Sequence, residues 1–346
     1  TLLAPSMLKQ ISPVSTRARQ TVHQSRQHIQ NVLDKKDNRI IAIVGPCSIH
    51  DPISALEYAN KLAQLACQVK DALVIVMRTY FEKPRTTVGW KGYINDPNLD
   101  NSCDINLGLK KARQLLIEIN QLGLPVATEF LDTIIPQYIA DLISWGAIGA
   151  RTSESQNHRN LASGLSMPMG IKNSTTGFTQ IAIDAIITAR HPHSFLGIND
   201  HGAAGIVHTR GNPYTHIILR GGNLSGPNYN TGHIQQTSAQ LAGEHLPRNI
   251  MVDCSHGNSY KDHQQQPGVV DNIAQQLAAH DSPIVGIMLE SFLQAGKQPL
   301  QTKLDLEYGK SITDACMDWT TTENCLHTLA DAVRLHRHTK KKQEVA

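Results

Sequence analysis

The sequence predicts an α/β protein built as a closed (β/α)8 barrel (a TIM barrel), with an N-terminal extension and an inserted β-hairpin. Eight short apolar runs recur along the chain, mostly with a helical pattern between them. Each run is continuously apolar, which is typical of parallel strands buried on both faces. Eight strand–helix units favour a closed barrel. A doubly wound open sheet would show GxGxxG after the first strand, where this chain has GPCSIHD.

The predicted strands are short runs of β-branched or other apolar residues. They cover residues 39–45, 72–78, 124–129, 146–151, 167–172, 215–220, 249–254 and 283–290.

Helices are predicted from apolar residues that recur at helical spacing. One such stripe runs from Ala55 to Val69, and another from Ile105 to Leu122, where Gly123 can end the helix. Shorter helices are predicted over residues 139–145, 181–189, 270–279 and 323–336.

Three segments lie outside the barrel repeat. Residues 1–38 form an N-terminal extension with one predicted helix over 19–33, expected to make oligomer or regulatory contacts. Residues 193–209 hold two strand-like runs around a glycine-containing turn, which predicts a hairpin. We therefore expect one catalytic barrel over 39–338 with this insertion, followed by a basic tail over 339–346.

Composition excludes several classes of protein. Of 346 residues, 40% are apolar and 18% charged, so the chain can bury a core and is not disordered. The formal charge is only +3 and aromatic residues are 5%, which argues against nucleic-acid binding. No apolar run is long enough to cross a membrane. Six scattered cysteines without a CxxC pair, and no signal-peptide pattern, lead us to expect a cytoplasmic protein.

Every predicted strand ends in, or within a few residues of, a charged or metal-ligating side chain. Helix capping and surface charge could explain one such residue but hardly all eight. In a barrel these ends share one mouth, where catalytic residues gather. In chain order the residues are Cys47, Arg78, Glu129, Arg151, Lys172, Arg220, His256 and Glu290.

The cations among them indicate a polyanionic ligand, because guanidinium forks suit carboxylates and phosphates. Local ion pairs with Glu129 and Asp253 could account for two of the charges but not all of them. The loop KPRTTVGWKG adds Lys83 and Arg85. Together these groups could hold two phosphates and a carboxylate.

Four further groups suggest a metal site. Cys47, His256, Glu290 and Asp314 offer a thiolate, an imidazole and two carboxylates, a donor set suited to one divalent ion of Mn, Fe, Co or Zn. No two of them lie at local ligand spacing, so only the barrel prediction brings them together. His50 is a competing ligand that we interpret as a structural or hydrogen-bonded residue.

These motifs carry a family resemblance from about Ser12 to the last helix. GPCSIHD, MRTYFEKPRTTVGWKG, ATEFLD, GAIGARTSESQ, MGIKN, HIILRGG, VDCSHGNS and GKSITDAC occur in this order. The chain resembles type I 3-deoxy-D-arabino-heptulosonate 7-phosphate (DAHP) synthases, the microbial feedback-regulated class, and most of all the tyrosine-sensitive ones.

The resemblance implies a transferase that condenses phosphoenolpyruvate (PEP) with D-erythrose 4-phosphate and water to give DAHP and phosphate, the first step of the shikimate pathway. It implies that the four candidate ligands bind the metal. It assigns PEP to Arg78, Lys83, Glu129, Ala150, Arg151, Lys172 and Arg220, and erythrose 4-phosphate to Pro84, Arg85, Thr86 and Asp314. Lys83, Asp253 and His256 would act in catalysis, and the proton donor would be Lys83 or a water on the metal.

The chain departs from the family in one loop. The usual GFKNGTDG reads GIKNSTTG, so that Ser174 and Thr176 replace Gly and Asp, while GGNLSGPNYN after Arg220 is longer. Lys172 and Asn173 are kept, so PEP binding should survive.

The resemblance also implies feedback inhibition by an aromatic amino acid. Gln137, Ser166 and Gly197 are candidates for that site. Gly197 stands where phenylalanine-sensitive members carry Ser, and it leaves room for a phenol hydroxyl, so we expect tyrosine to be the inhibitor. We also expect a homodimer or homotetramer, on the ground that the extension must bury its apolar stripe on something.

Three alternatives remain open at this point. A related 3-deoxy-octulosonate phosphate synthase would extend a pentose phosphate, and KPRTT argues against it. An inactive amino-acid-sensing paralogue would have lost a ligand or clamp residue, and none is lost. A metal aldolase that uses pyruvate would not need so many cations.

Overall fold

The computed structural model describes residues 1–279, 282–300 and 303–345. Ten strands lie within these ranges, and all eight strands predicted for the barrel are confirmed. The strands are β1 (Ile40–Gly45), β2 (Leu73–Arg78), β3 (Val126–Glu129), β4 (Trp145–Ile148), β5 (Met169–Lys172), β6 (Ser194–Ile198), β7 (Ala204–His208), β8 (Thr215–Leu219), β9 (Ile250–Asp253) and β10 (Ile284–Glu290).

Eight of these strands close a parallel barrel in the order β1-β10-β9-β8-β5-β4-β3-β2. Closure is made by β1, whose Ile41 pairs with Gly286 of β10 and with Val74 of β2. All residues of the barrel strands are buried, which explains their unbroken apolar character. The strand register places the C-terminal ends at one mouth.

Helices surround the barrel. They are α1 (Pro5–Ile11), α2 (Thr16–Leu33), α3 (Pro52–Gln68), α4 (Ile105–Gln121), α5 (Pro136–Ile139), α6 (Gln156–Gly164), α7 (Gln180–Ala189), α8 (Thr231–Gly243), α9 (Gln266–Ala279) and α10 (Trp319–Val345). Within the described ranges, no helix is both long and apolar enough to cross a membrane.

The prediction of a helix over residues 139–145 is wrong. Helix α5 starts at Pro136 and continues as one 3-10 turn that ends at Leu142, and Trp145 opens β4. Proline favours the first turn of a helix, where its missing N–H is not needed. Trp145 is fully buried in the barrel, where a strand places its side chain inward.

The last helix is longer than predicted. It runs to Val345 and so includes most of the residues predicted to form a basic tail. The last residue of that tail, Ala346, lies outside the described residues.

The N-terminal extension holds two helices rather than one, and α2 closes the bottom of the barrel. Its Ile29, Val32 and Leu33 pack in one buried cluster with barrel residues such as Ile41 and Val285. The apolar stripe of α2 is therefore buried within the chain, whereas Met7 and Ile11 of α1 are 50% and 53% exposed. The α2 stripe therefore needs no partner subunit to cover it, and the predicted homodimer or homotetramer stays a prediction.

The hairpin consists of β6 and β7, antiparallel, with Gly197 opposite Gly205. Its turn contacts the extension, since the N–H of Ser6 donates to the carbonyl of Asp200 at 2.8 Å and Lys9 pairs with the Asp200 carboxylate at 2.7 Å. The two additions to the barrel therefore meet each other.

Candidate active site

Arg78, at the end of β2, is held in place from three sides. Its Nη2 donates to Oε1 of Glu290 at 3.0 Å and to the carbonyl of Cys47 at 3.2 Å, and its Nε donates to the carbonyl of Pro46. The guanidinium carbon lies 3.5 Å from the centre of the Tyr80 ring, a cation–π contact. The fork is thus oriented before any ligand arrives. Tyr80 was not singled out from the sequence.

Three of the four predicted metal ligands lie together. A ligand atom of each of Cys47, Glu290 and Asp314 lies within 4.8 Å of the others. The fourth, His256, is not part of this group of three, but its Nε2 lies 3.8 Å from Oε1 of Glu290. His50 instead packs edge-on against the ring of Phe292. The donor set and its spacing fit one divalent transition-metal ion.

The thiol of Cys47 sits in a desolvated environment. Burial raises its pKa, and the nearby Glu290 charge raises it further. Lys83 opposes this effect, because its Nζ lies 3.1 Å from Sγ of Cys47. Like Lys83, a divalent cation at this position would lower the pKa of the Cys47 thiol and favour the thiolate.

Asp253 links two predicted site residues at the end of β9. Its carboxylate pairs with Nζ of Lys172 at 3.0 Å and with Nδ1 of His256 at 2.9 Å, and it accepts from the hydroxyl of Ser255. Burial alone would raise the pKa of this carboxyl, but the charges of Lys172 and His256 hold it well below its usual range. Asp253 therefore orients the His256 ring through Nδ1, while Nε2 faces Glu290.

Gln266 fixes the backbone of Glu290. The side-chain oxygen of Gln266 accepts from the N–H of Glu290, and its amide donates to the carbonyl of Glu290, both at 3.0 Å. Gln266 is fully buried at the start of α9. The sequence analysis missed this residue, since one glutamine in a run of three carries no motif.

Glu129 is brought to the mouth by a close backbone approach. A Cβ on Gly149 would lie 2.3 Å from Oε1 of Glu129, so only glycine leaves room for the carboxylate. The chain then turns, with Ala150 half-buried and Arg151 exposed at the mouth. Gly149, the second glycine of GAIGAR, is the signal that could have indicated this contact.

Arg220 follows β8 and is almost fully buried. Its N–H donates to Oδ1 of Asn173 at 2.8 Å, which joins the ends of β5 and β8. The departures from the family pattern lie just beyond, where the hydroxyls of Ser174 and Thr176 are 2.8 Å apart. The N–H of Asn223 donates to the carbonyl of Thr175, so this altered loop packs on the longer loop after Arg220.

The loop that carries Pro84, Arg85 and Thr86 is anchored at its base and exposed at its tip. Glu82 is buried and accepts from the N–H groups of Leu131 and Asp132, and burial raises the pKa of its carboxyl to about 8. By contrast Arg85 and Thr86 are exposed, with Nε of Arg85 donating to the carbonyl of Trp90.

The candidate regulatory residues lie on the side of the barrel that carries the hairpin. Gln137 is half-buried in α5, and the hydroxyl of Ser166 accepts from Arg26 of α2 at 2.8 Å. Gly197 lies on β6, where an added Cβ would lie 2.7 Å from Cγ2 of Val207. The space beside Gly197 is therefore bounded by its own hairpin.

A closed parallel barrel whose strand ends gather cations, a thiol, an imidazole and carboxylates has the architecture of TIM-barrel enzymes, whose active sites lie at this mouth. Residues 15–327 match the family model described as the DAHP synthetase I family. The chain belongs to this family and is an enzyme of it.

Individual relatives match nearly the whole chain. It is 51% identical to the tyrosine-inhibited phospho-2-dehydro-3-deoxyheptonate aldolase of Schizosaccharomyces pombe, over 98% of this chain and 92% of that protein. It is 52% identical to the Phe-sensitive enzyme of Escherichia coli, over 97% and 95%. The solved structure of the aldolase from Francisella tularensis superposes with a TM-score of 0.95 at 49% identity, over 97% of this chain and 98% of that one.

Proposed function

We propose that this chain condenses PEP with D-erythrose 4-phosphate and water to give DAHP and phosphate, and so begins the shikimate pathway. The family and the names of its relatives support this reaction. The observation that carries it is that buried Arg78, Lys172 and Arg220 surround the Cys47, Glu290 and Asp314 group at one mouth.

The buried cations would bind PEP. A carboxylate and a phosphate need several donors, and a guanidinium supplies two parallel N–H groups to each. Arg78 is already oriented by Glu290 and Tyr80, and Lys172 by Asp253. Lys83, Arg151, Arg220, Glu129 and the N–H of Ala150 would complete this site. Held side chains lose little freedom on binding, which aids positioning.

Erythrose 4-phosphate would approach from the exposed loop. Arg85 and Thr86 would take its phosphate, with Pro84 shaping the loop between them and Lys83. Asp314, half-buried at the rim of the metal group, would face its hydroxyls.

We propose that Cys47, His256, Glu290 and Asp314 hold one divalent ion of Mn, Fe, Co or Zn. Such an ion supplies Lewis-acid polarisation of the aldehyde oxygen when it is bound. Asp253 would hold the tautomer of His256, and Gln266 the backbone of Glu290, so that both ligands keep their direction.

In the reaction, C3 of PEP bonds to the aldehyde carbon, water adds at C2, and phosphate leaves. The aldehyde oxygen must take up a proton. Nζ of Lys83 lies 3.1 Å from Sγ of Cys47, next to the metal group, and is our candidate donor.

The experiment is an assay of PEP consumption with erythrose 4-phosphate or arabinose 5-phosphate, before and after chelation and with single metals added back. We expect activity with the first aldehyde only, lost on chelation and restored by metal. Equal or greater activity with the pentose phosphate would make it an octulosonate phosphate synthase. Amino-acid binding without activity, with metal present, would make it a sensor.

Cys47→Ser tests the metal site separately, with Cys67→Ser on an exposed cysteine as control. Substitution of a residue that hydrogen-bonds to a metal ligand lowers metal affinity roughly 10–100-fold. Loss of the Cys47 thiolate, which would be a ligand itself, should lower the affinity by at least that factor. Bound metal measured by elemental analysis gives this result independently of activity. Unchanged metal content in Cys47→Ser would remove the ligand assignment.

We also propose feedback inhibition by tyrosine and a homodimeric or homotetrameric state. The relatives named for tyrosine and for phenylalanine match almost equally, so Gly197 is what favours tyrosine. Leu196 and Ile206 face each other across the hairpin and are 87% and 67% exposed, an apolar pair that a second copy of the chain would cover. Light scattering of Leu196→Asp tests this, with a smaller assembly expected.

A further inference from the structure

A large cavity lies on the face of the barrel opposite the catalytic mouth. Its volume is about 1180 Å³, and the chain segments that lead into β1, β2, β9 and β10 line it together with α10. These four strands are neighbours in the barrel, so their N-terminal ends form one continuous wall. None of the residues assigned to PEP, erythrose 4-phosphate or metal lines this cavity.

The lining of this lower cavity is strongly basic. Among the described residues it contains two acids, Asp37 and Asp71, against seven cations: Lys35, Lys36, Arg39, Lys70, Arg248, Arg337 and Lys340. The chain as a whole has 32 bases and 29 acids. An excess of positive charge larger than that of the whole protein therefore faces one cavity.

The two acids are already occupied. Asp37 pairs with Arg39 at 2.6 Å, and Asp71 pairs at 2.7 Å with Arg334, which is outside the lining. Arg337 donates to the backbone carbonyl of Asp71. The two acids of the lining therefore pair with Arg39 and Arg334 and with none of Lys35, Lys70 and Arg248.

Four cations of the lower cavity make no ion pair within the part of the chain that the structure describes: Lys35, Lys70, Arg248 and Arg337. Lys35 adopts a left-handed backbone conformation, with φ of 60°. Burial lowers the pKa of its ammonium group, and the charge of Arg248 lowers it further, so the two side chains repel each other. Lys35, Lys70 and Arg248 are exposed around an open concave surface, and an anion bound between such cations lowers their mutual repulsion.

We infer that the lower cavity binds a phosphorylated small molecule with several negative charges, such as a nucleoside or sugar polyphosphate. The volume slightly exceeds the upper end of ordinary small-ligand sites, roughly 1,000 Å³, so it has room for a molecule of this size. Side chains of Asn31, Asn38, Ser238 and Ser282 in the lining offer hydrogen bonds to the rest of such a molecule. The site is separate from the mouth, so the inference does not depend on the reaction proposed above.

The test is calorimetric titration of the full chain with inorganic tripolyphosphate, in chelator with saturating PEP so that the mouth is filled without turnover. We expect one site per chain and an affinity that falls as salt rises. The double variant Lys35→Gln/Arg248→Gln should bind about tenfold or more weakly, because two charge-assisted contacts are lost. Lys70→Gln alone should weaken binding in the same direction.

The matched control is Arg17→Gln/Lys110→Gln, which removes the same charge from two exposed positions away from the cavity. Control and test variants should keep the same circular dichroism and the same kcat and KM for both substrates. No binding by the unaltered chain, or equal loss in both double variants, would overturn the inference. Tighter, length-dependent binding of a single-stranded oligonucleotide would assign the surface to nucleic acid instead.

Discussion

The guanidinium of Arg78 lies 3.0 Å from Oε1 of Glu290, and the two side chains are only 2% and 3% exposed. The pair joins β2 to β10 through the end of β1, the strand between them. It therefore connects a candidate PEP-binding cation to a candidate metal-binding carboxylate. The attraction between the two charges offsets part of the free-energy cost of removing each from water, so both can be buried at the mouth.

Removing one partner of this pair should destabilise the fold. Arg78→Met leaves the Glu290 charge buried without its partner, a situation that costs about 3–5 kcal/mol. Arg85→Met, on the exposed loop, should change the free energy of unfolding by less than about 0.5 kcal/mol. Urea unfolding measures both. A similar small change in the two variants would mean that Glu290 is held by other contacts.

Gly149→Ala should impair turnover without unfolding the barrel. The new methyl group would lie 2.3 Å from Oε1 of Glu129, so the carboxylate must move. A displacement of about 1 Å at a positioned group can cost up to roughly 100-fold in rate. Steady-state kinetics with PEP as the varied substrate gives the loss in kcat/KM. Gly205→Ala on the hairpin, where a Cβ meets nothing within 4 Å, is the control.

His216 should make the protein less stable in mild acid. It accepts a hydrogen bond from Nε1 of Trp145 at 3.2 Å, and burial lowers the pKa of its imidazole to about 4. Its unfolded pKa is about 6.5, so the unfolded chain takes up the proton first. The stability is therefore present above about pH 6.5 and is lost as the pH falls toward 4, by about 3 kcal/mol.

The measurement is the free energy of unfolding against pH for the unaltered chain and for His216→Gln, which keeps an acceptor for Trp145. The variant should lose less stability between pH 6.5 and 4 than the unaltered chain does. His338→Gln, on the exposed surface of α10, should retain the original slope. Parallel pH profiles for the unaltered chain and His216→Gln would contradict the assignment.

Gly197→Ser should shift inhibition from tyrosine toward phenylalanine. The serine Cβ would lie 2.7 Å from Cγ2 of Val207, so the hairpin must adjust as the space beside it shrinks. Inhibition curves with tyrosine, phenylalanine and tryptophan measure the shift. Gly197→Ser/Val207→Ala relieves the crowding and separates the effect of the hydroxyl from that of the displaced strand. Phenylalanine as the only inhibitor of the unaltered chain would remove the tyrosine assignment.

Sequence reasoning succeeded where one physical signal dominates a segment. The barrel strands are buried on both faces, so their apolar runs are continuous and end where ionisable residues reach the mouth. Helices α6 and α8 were missed because they show few buried apolar positions. In α6 these are Leu161 and Ala162, and in α8 Ile234 and Leu241, too few for a clear helical period.

The sequence by itself determined the barrel, the hairpin and the kinds of group at the mouth, because strand burial and residue chemistry are local properties of the chain. Tertiary structure alone decided that Gln266 holds Glu290, that Glu129 fills the space beside Gly149, and that α2 closes the barrel within its own chain. It also decided that cations from separate chain segments face one cavity. Such contacts depend on distances between residues far apart in sequence, which periodicity does not encode.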